Sequence, residues 1–288
     1  VLKYRGSSFL NNEHPYMITS RGMVLLPISA LSLEQCAFDE QVSSGDERLD
    51  AILGGGYVRG SSILVAGASG TGKTLLASSF AHAAHRRGER TLYVGFEEAS
   101  QTWLKNMARV GQDLRPAIER QNLKVLSLFP EAAGIEQHLL HLYDAMETFE
   151  PHHLVIDAIS ACKRMGSQQS AFDLLVRLLF ACRRQGVNCL FTNQVLEADS
   201  MAQAVGMDLS SMIDTLVTLH YRDTGQELQR RLLVVKSRGA AHSMRHHRVR
   251  IGSTGVAFES APPEDSASDR PDDLQPARTQ PQMDAADG

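Results

Sequence analysis

The chain has 288 residues, of which 43% are hydrophobic, and a formal net charge of −4. This size suits one large α/β domain with attached segments. The negative net charge differs from the strong excess of Lys and Arg that is typical of a dedicated nucleic-acid binder. The cysteines form no CxxC pair, no apolar run reaches membrane length, and the first residues lack a secretory-signal pattern, so we expect a cytoplasmic protein without a membrane partner.

Three regions follow one another along the chain. Residues 1–45 carry few helix signals, and we interpret them as an extended lead-in or interdomain linker. Residues 46–258 alternate short β runs with helix-length segments, which predicts a mainly parallel central sheet flanked by helices. Residues 259–288 are rich in Pro, Asp, Ser and Gln, and this composition predicts a disordered acidic tail.

The predicted strands and helices of the middle region come from hydrophobic spacing. Helical periodicity appears near 74–87, 100–110, 134–149 and 168–185. The last strands follow one another without helices, so we expect antiparallel pairing at that edge of the sheet. The predicted strands are "SSILVAG", "TLYVGF", "LKVLSLF", "HLVIDAI", "NCLFTN", "DTLVTLHY" and "RRLLVVK".

The strongest motif is "ILVAGASGTGKT", in which an apolar strand leads into a G-x-x-x-x-G-K-T loop and then a helix. This context is typical of a P-loop, whose backbone amides surround phosphates at a helix N-terminus. Lys73 would reach the β- and γ-phosphates of ATP, and Thr74 would bind Mg²⁺. The candidate nucleotide-binding residues here are Gly67, Ser69, Gly70, Thr71, Gly72, Lys73 and Thr74.

Carboxylates follow two further predicted strands. Asp157 ends "HLVID", where a second acid can orient Mg²⁺. Glu97 and Glu98 follow "LYVGF", where a carboxylate beside the γ-phosphate could act as general base. Because neighbouring strand residues point to opposite faces, we expect one of the two to face the nucleotide and the other either to support it or to meet a neighbour. Thr74, Glu98 and Asp157 are the candidate Mg²⁺ ligands.

Polar residues also end later strands. Asn193 and Gln194 could sense the γ-phosphate or anchor a loop, and these alternatives remain open. Lys236 and Arg238 alternate on a strand, point the same way, and could contact the phosphates of a nucleotide in an adjacent subunit. The histidines of "AAHSMRHHRVRIG" lie in a strand-like pattern, so we do not expect them to bind a metal.

Together these residues resemble a known family. "LDAILGGGYVRGSSILVAGASGTGKT" is similar to the RecA-like ATPases, and the wider pattern resembles the second ATPase domain of the KaiC family of circadian-clock proteins. "YRGSSFLNNEHP" resembles the junction that leaves the first domain. This junction and the missing initiator Met fit a chain cut from a longer protein, although a single-domain relative also fits. The other matching segments are "QVSSGDERLDAILGGG", "FPEAAGIEQHL", "VIDAIS", "LFTN", "DTLVTLHY" and "VVKSRG".

The resemblance implies a RecA-like P-loop fold and a homohexameric ring with ATP and Mg²⁺ between subunits. It implies ATPase, autokinase and autophosphatase activities in a clock, timing or signalling role. By position, Lys73, Glu97, Glu98 and Asp157 would be catalytic, and Arg164 would lie near the nucleotide with Lys236 and Arg238 reaching the neighbouring subunit's ATP. Ser210 and Ser211 fall on the family's two adjacent phosphoacceptors.

The sequence departs from the family in three places. The acceptor pair is Ser–Ser instead of Ser–Thr, and Val205 stands where the family has an assisting hydroxyl, so we expect an altered or slower kinase cycle. The tail lacks the segment to which KaiA docks, so we expect no regulation by KaiA, whereas a KaiB-like partner stays open. Ser210 or Ser211 could instead cap a turn.

Two other functions compete with this hypothesis. A RecA/RadA-type DNA recombination or repair ATPase shares the fold, but no Lys or Arg occurs between Gln194 and Tyr221, where such proteins usually bind DNA. An ATP-dependent assembly or signalling module with little kinase activity would use the same residues, so the sequence does not exclude it.

Overall fold

The computed structural model describes residues 16–19, 22–25, 38–195, 211–253 and 255–260. Within these ranges no helix is both long and apolar enough to cross a membrane. The strands are β1 (Tyr16–Thr19), β2 (Gly22–Leu25), β3 (Gln41–Val42), β4 (Tyr57–Val58), β5 (Ser62–Gly67), β6 (Thr91–Gly95), β7 (Leu123–Ser127), β8 (His153–Asp157), β9 (Asn188–Gln194), β10 (Thr215–Asp223), β11 (Leu228–Ser237), β12 (His247–Gly252) and β13 (Gly255–Ser260).

The helices lie where hydrophobic periodicity predicts them, with two short additions, α1 and α4. Asp46 caps the first turn of α1 by accepting from the amides of Arg48 and Leu49. Ser167 caps α6 in the same way through the amide of Ser170. The helices are α1 (Glu47–Leu53), α2 (Lys73–Arg86), α3 (Ser100–Arg109), α4 (Arg115–Glu119), α5 (Ile135–Phe149) and α6 (Gln168–Arg184), with 3₁₀ turns at Pro130–Ala132 and Ile159–Arg164.

A nine-stranded sheet forms the centre of the fold, in the order β13-β12-β11-β10-β5-β9-β8-β6-β7. The six strands from β10 to β7 are parallel to one another, and β11, β12 and β13 extend the sheet in antiparallel fashion. This arrangement confirms the predicted fold class, a mainly parallel RecA-like α/β sheet with antiparallel strands at one edge.

Alternation along the central strands builds two separate cores. Leu64 of β5 packs on one face with the apolar residues of α5 and α6. Its neighbours Ile63 and Val65 pack on the other face with residues of α1, α2 and α3. Because successive strand side chains point to opposite faces, burying both faces requires continuously apolar strands, as "SILVAG" is.

A charged cluster ties together the amino-terminal ends of the central strands. Glu89, between α2 and β6, accepts from Arg59 and Arg87, each at 2.7 Å, and from Nε2 of the buried His153 at 2.9 Å. Burial alone would raise the pKa of Glu89, but these hydrogen bonds outweigh it and hold the pKa well below the usual range. Burial also lowers the pKa of His153. The cluster therefore stabilises the fold with Glu89 ionised.

We predict that Glu89→Gln lowers the free energy of unfolding by about 2 kcal/mol at pH 7, because two guanidinium groups lose a charged acceptor in a largely buried position. The depressed pKa of Glu89 means that its contribution is complete above the unfolded-state pKa of about 4.3 and is lost on acidification below it. Denaturant unfolding at several pH values should therefore show the two proteins converging in acid.

Glu150→Gln is the matched control, since the pair that Glu150 makes with Arg90 is exposed. We expect little change in its stability at pH 7. Equal destabilisation by the two substitutions would contradict a special role for the Glu89 cluster.

Candidate functional site

The P-loop motif spans residues 67–74, of which residues 68–72 form the loop that connects β5 to α2. Gly70 and Gly72 have φ angles of +76° and +107°, which side chains with a Cβ rarely adopt. Gly72 begins α2 without a side-chain cap, so the first amides of the helix face the loop. Thr71 donates its hydroxyl to the carbonyl of Ala68 at 2.8 Å, whereas Ser69 is exposed. The loop has the backbone that a phosphate-binding turn needs.

Lys73 lies in the first turn of α2 and points back under the loop. Its side chain is buried, and Nζ donates to the carbonyl of Ala68 at 2.7 Å. Burial lowers the pKa of Lys73, and the charges of Asp157 and Glu97 oppose this shift. A buried ammonium group beneath a turn of backbone amides is well suited to bind an anion with several phosphates.

A cleft of about 100 Å³ opens beside the loop, where β6 and β8 end and α2 begins. Thr74, Glu97, Glu98 and Asp157 all line it. One hydroxyl and three carboxylates are oxygen ligands, which Mg²⁺ prefers. Their convergence means that these residues could hold a divalent cation next to phosphates bound at Lys73.

Asp157 has a fixed orientation in this cleft. It ends β8, as the sequence predicts, and accepts hydrogen bonds from the hydroxyls of Tyr93 at 2.8 Å and of Thr192. Burial, together with the charge of Asp157, raises the pKa of Tyr93 well above its ordinary value, so Tyr93 stays a donor. Both donors are neutral, and the carboxylate therefore retains its charge for a cation.

The two glutamates differ from the arrangement that strand alternation predicts. β6 ends at Gly95, so Glu97 and Glu98 lie in the following turn and both line the cleft. The expectation of opposite faces was wrong because alternation holds only within a strand. Oε1 of Glu98 accepts from Asn106 of α3 at 2.6 Å, whereas the side chain of Glu97 is exposed. Glu98 is positioned by the protein, and Glu97 faces outward.

The polar pair at the end of β9 is divided between interior and surface. Asn193 is buried, and the next residue, Gln194, is exposed. Gly67, the last residue of β5, pairs with Gln194 of β9 and with Leu219 of β10. The strands on both sides of β5 therefore extend to the end of the sheet at which the P-loop lies.

Lys236 and Arg238 lie at the opposite end of the sheet from the P-loop. β10 runs parallel to β5, with Thr215 beside Ile63 and Leu219 beside Gly67. Lys236 donates to the carbonyl of Ile213 at 2.7 Å, and Arg238 donates to that of Ser211 at 2.9 Å.

The short segment before β10 is anchored by a second carboxylate. Asp214 accepts from the amide and hydroxyl of Ser62 at 2.9 and 2.7 Å and pairs with Arg183 at 3.0 Å. Ser211 is exposed at the start of this 211–214 segment. Ser210 and Val205 lie outside the described residues.

Arg164 lies apart from the cleft residues. It ends the 3₁₀ turn after β8 and pairs with Glu131 at 2.9 Å, with about half of each side chain exposed. It does not line the cleft that holds Thr74 and Asp157. Its assignment to the nucleotide therefore stays a prediction.

Arg230 and Tyr221 were missed by the sequence analysis. Nε of Arg230 donates to the carbonyl of Gly70 at 3.1 Å, and its guanidinium lies 5.6 Å from the ring centroid of Tyr221. The two residues are directly opposite each other in the β10–β11 pair. The β10–β11 hairpin brings both residues next to the P-loop. The pattern of two consecutive strands, which predicts a hairpin, was the sequence signal for this contact.

Comparison with known proteins identifies relatives. The model of the family described as "ATPase: KaiC" matches residues 42–262. The chain is similar to circadian clock protein KaiC3 of Synechocystis sp., with 33% identity over 243 residues, 84% of this chain and 48% of that protein. KaiC2 of the same organism is 36% identical over 260 residues, 89% of this chain and 45% of that protein.

A third relative, the circadian clock oscillator protein KaiC of Synechococcus elongatus, is 35% identical over 246 residues, 84% of this chain and 47% of that protein. The chain spans about half the length of the curated relatives it matches.

We predict that Arg230→Ala weakens ATP binding about tenfold, because a charged hydrogen bond that holds the P-loop carbonyl is lost. Titration with a fluorescent ATP analogue measures this. Arg250→Ala is the control, since Arg250 is exposed and pairs with Glu259 of the neighbouring strand β13. Unchanged affinity in Arg230→Ala would show that Arg230 only packs on Tyr221.

Proposed function

The chain belongs to the KaiC family of ATPases, and from this membership and the geometry of the cleft we propose that it binds and hydrolyses ATP and phosphorylates its own serines. The acceptors are Ser210 and Ser211, each reached by the ATP of a neighbouring subunit. The working assembly is a homohexameric ring with ATP at the subunit interfaces, as the family resemblance implies.

One observation carries this proposal: the P-loop and the 211–214 segment lie at opposite ends of the same pair of strands. Thr215 pairs with Ile63 and Leu219 with Gly67, so four residue steps of about 3.3 Å separate the two ends by roughly 13 Å. Phosphoryl transfer needs reacting atoms about 3–3.5 Å apart. Ser211, at the start of this segment, is therefore too far from a nucleotide on its own subunit's P-loop, which supports a donor in another copy.

The same separation accounts for Lys236 and Arg238. Both donate to carbonyls of the 211–214 segment, which supports assigning them to the acceptor side of the proposed subunit contact. When this end meets the P-loop end of the next subunit, two cations approach phosphates that Lys73 binds from the other side. Cations in this position stabilise the charge that develops on the transferred group.

Within the donor subunit, the backbone of residues 67–74 and Lys73 bind the phosphates. Thr74, Glu98 and Asp157 would hold Mg²⁺, which neutralises phosphate charge when bound. Asn106 donates a hydrogen bond to Glu98, and Tyr93 donates one to Asp157. The fold itself therefore orients both carboxylates.

The exposed Glu97 is the general base. The serine oxygen forms a bond to the γ-phosphorus, the bond from that phosphorus to the bridging oxygen breaks, and ADP leaves. The serine proton passes to the Glu97 carboxylate, whose outward position lets it meet a hydroxyl supplied by another subunit. Water in place of the serine gives simple hydrolysis.

The relatives are named as circadian clock proteins, and we extend a timing or signalling role to this chain as part of the proposal. A KaiB-like protein is the corresponding partner. The timing or signalling role and the KaiB-like partner both depend on the proposed ring and on the phosphorylation of its serines.

We predict that Glu97→Gln combined with Glu98→Gln lowers serine phosphorylation at least about 100-fold while ATP binding is retained, because the base and one cation ligand are lost but the P-loop is not. Phosphosite mass spectrometry after incubation with Mg-ATP measures the first quantity, and nucleotide titration the second. Glu147→Gln, on the exposed face of α5, is the control.

Undiminished phosphorylation in the double variant would refute the base assignment. Nucleotide turnover by the unaltered chain with both serines unmodified would instead favour an ATPase that assembles without the kinase step.

We also predict that phosphate passes between subunits in mixed rings. One subunit type carries Glu97→Gln and Glu98→Gln and keeps its serines, and the other carries Ser210→Ala and Ser211→Ala and keeps its carboxylates. Neither type alone should become phosphorylated at these positions, whereas a mixture should gain phosphate on the first type. Mass spectrometry distinguishes the two by their substitutions, and a mixture that gains none would contradict transfer between copies.

A further inference from the structure

A wide groove lies at the β7 edge of the sheet, on the outer side of α3. It has a volume of about 1330 Å³, against about 100 Å³ for the catalytic cleft. α3, α4, β7 and the end of α5 form its walls. β7 pairs with β6 on one side only among the described strands, so one row of its backbone amides and carbonyls faces the groove edge.

The groove is strongly cationic. Arg90, Lys105, Arg109, Arg115 and Lys124 line it, and among the described lining residues Glu119 is the one carboxylate. Asp113 and Glu150 each pair with one of the arginines, at positions 115 and 90 respectively.

The two cations on α3 differ from Arg90 and Arg115, which are paired with carboxylates. Lys105 and Arg109 are exposed, and no ion pair joins either of them to a carboxylate within the described ranges. They lie one helical turn apart and so face the same groove. The groove thus presents charge that its own residues do not balance.

Apolar surface lies between these charges. Ile118 is a large hydrophobic residue with 38% exposure, and Leu104 and Phe149 also line the groove. Arg90 and Lys124 each lie 6.0 Å from the ring of Phe149. This combination fits an extended acidic segment that carries occasional apolar residues.

The chain itself contains such a segment in residues 261–288, the part of the acidic tail that follows β13. It has seven acidic residues against two arginines, a net charge of −5, with Leu274 and Met283 as apolar side chains. Five of the acids fall within 264–273. Its charge is complementary to that of the groove.

The position of β13 brings the tail within reach. A Cβ built on Gly255, the first residue of β13, would lie 3.9 Å from the carbonyl of Val110, which directly follows α3. β13 is six residues, or roughly 20 Å, long, and the 28 residues of the tail can extend over roughly 90 Å. The tail is therefore long enough to enter a groove that begins at Lys105 and Arg109.

We propose that the acidic tail, residues 261–288, docks in the cationic groove formed by α3, α4 and β7. The carboxylates of 264–273 pair with Lys105 and Arg109, and apolar side chains of the tail cover Ile118. The side chains that bind the tail in this proposal, Lys105, Arg109 and Ile118, do not line the cleft, so the contact can be tested separately from the kinase function.

The test is photo-cross-linking in the full chain. p-Benzoyl-phenylalanine replaces Ile118, the protein is irradiated, and mass spectrometry identifies the linked peptide. We expect the link to fall within 261–288 and to weaken as added salt shortens the screening length to about 3 Å near 1 M. Links only to the folded part of a second copy, or no link to the tail at low salt, would overturn the proposal.

Charge-reversal variants test the pairing itself. Lys105→Glu with Arg109→Glu should reduce the yield of the tail link at least about fivefold, because two pairing cations become repulsive. Arg184→Glu with Arg245→Glu changes the net charge equally at exposed positions outside the groove and should leave the yield unchanged. Equal yields in the two double variants would show that the groove does not recognise the tail by charge.

Neutralising the tail gives the reciprocal test. Asp269→Asn, Asp272→Asn and Asp273→Asn together should lower the yield as the groove reversal does, and they leave the folded core unaltered. A yield unaffected by this triple change would also overturn the proposal.

Discussion

The parallel pairing of β5 with β10 determines which charged groups share an end of the sheet. Gly67 and Leu219 are partners at one end, and Ile63 and Thr215 at the other. The P-loop continues from the first end, and the 211–214 segment leads into the second. A single register thus separates the P-loop from the 211–214 segment, and this separation is what supports the proposed transfer between copies of the chain.

Near each end of the parallel strands, hydrogen bonds hold one aspartate in place. The hydrogen-bond partners of these two aspartates differ in charge. Asp157 receives hydrogen bonds from the neutral hydroxyls of Tyr93 and Thr192, which orient the carboxylate without neutralising it. Asp214 is paired with Arg183 and bonded to Ser62, so its charge is already balanced within the fold. The first arrangement leaves an oriented carboxylate that a cation could bind, and the second fixes a loop in place.

The elements of the fold could be predicted from hydrophobic spacing, but their order in the sheet could not. "SILVAG" and "TLVTLHY" both have the apolar pattern of buried strands, and nothing in that pattern states that they are neighbours. The P-loop and Asp157 were predictable because each residue depends on a local strand–loop context.

Features that depend on longer-range structure were missed or misjudged. Arg230 reaches Gly70 only through the β10–β11 hairpin, 160 residues away in the chain. The orientation of Glu97 and Glu98 depended on where β6 ends, and strand ends are set by tertiary contacts that periodicity does not report. Contacts between residues that are distant in the sequence thus account for most of the features that the sequence alone did not predict.

The helix α3 lies between the cleft beside the P-loop and the cationic groove. Ser100, its first residue, and Val125 of β7 line both spaces. On the cleft side, Asn106 holds Glu98, and on the groove side Lys105 is exposed, one residue away on the same helix. A packed helix moves as a unit, so a segment that binds to Lys105 and shifts α3 also shifts the amide that orients Glu98. The groove is therefore placed where occupancy could change the proposed cation site without any contact to the proposed nucleotide site.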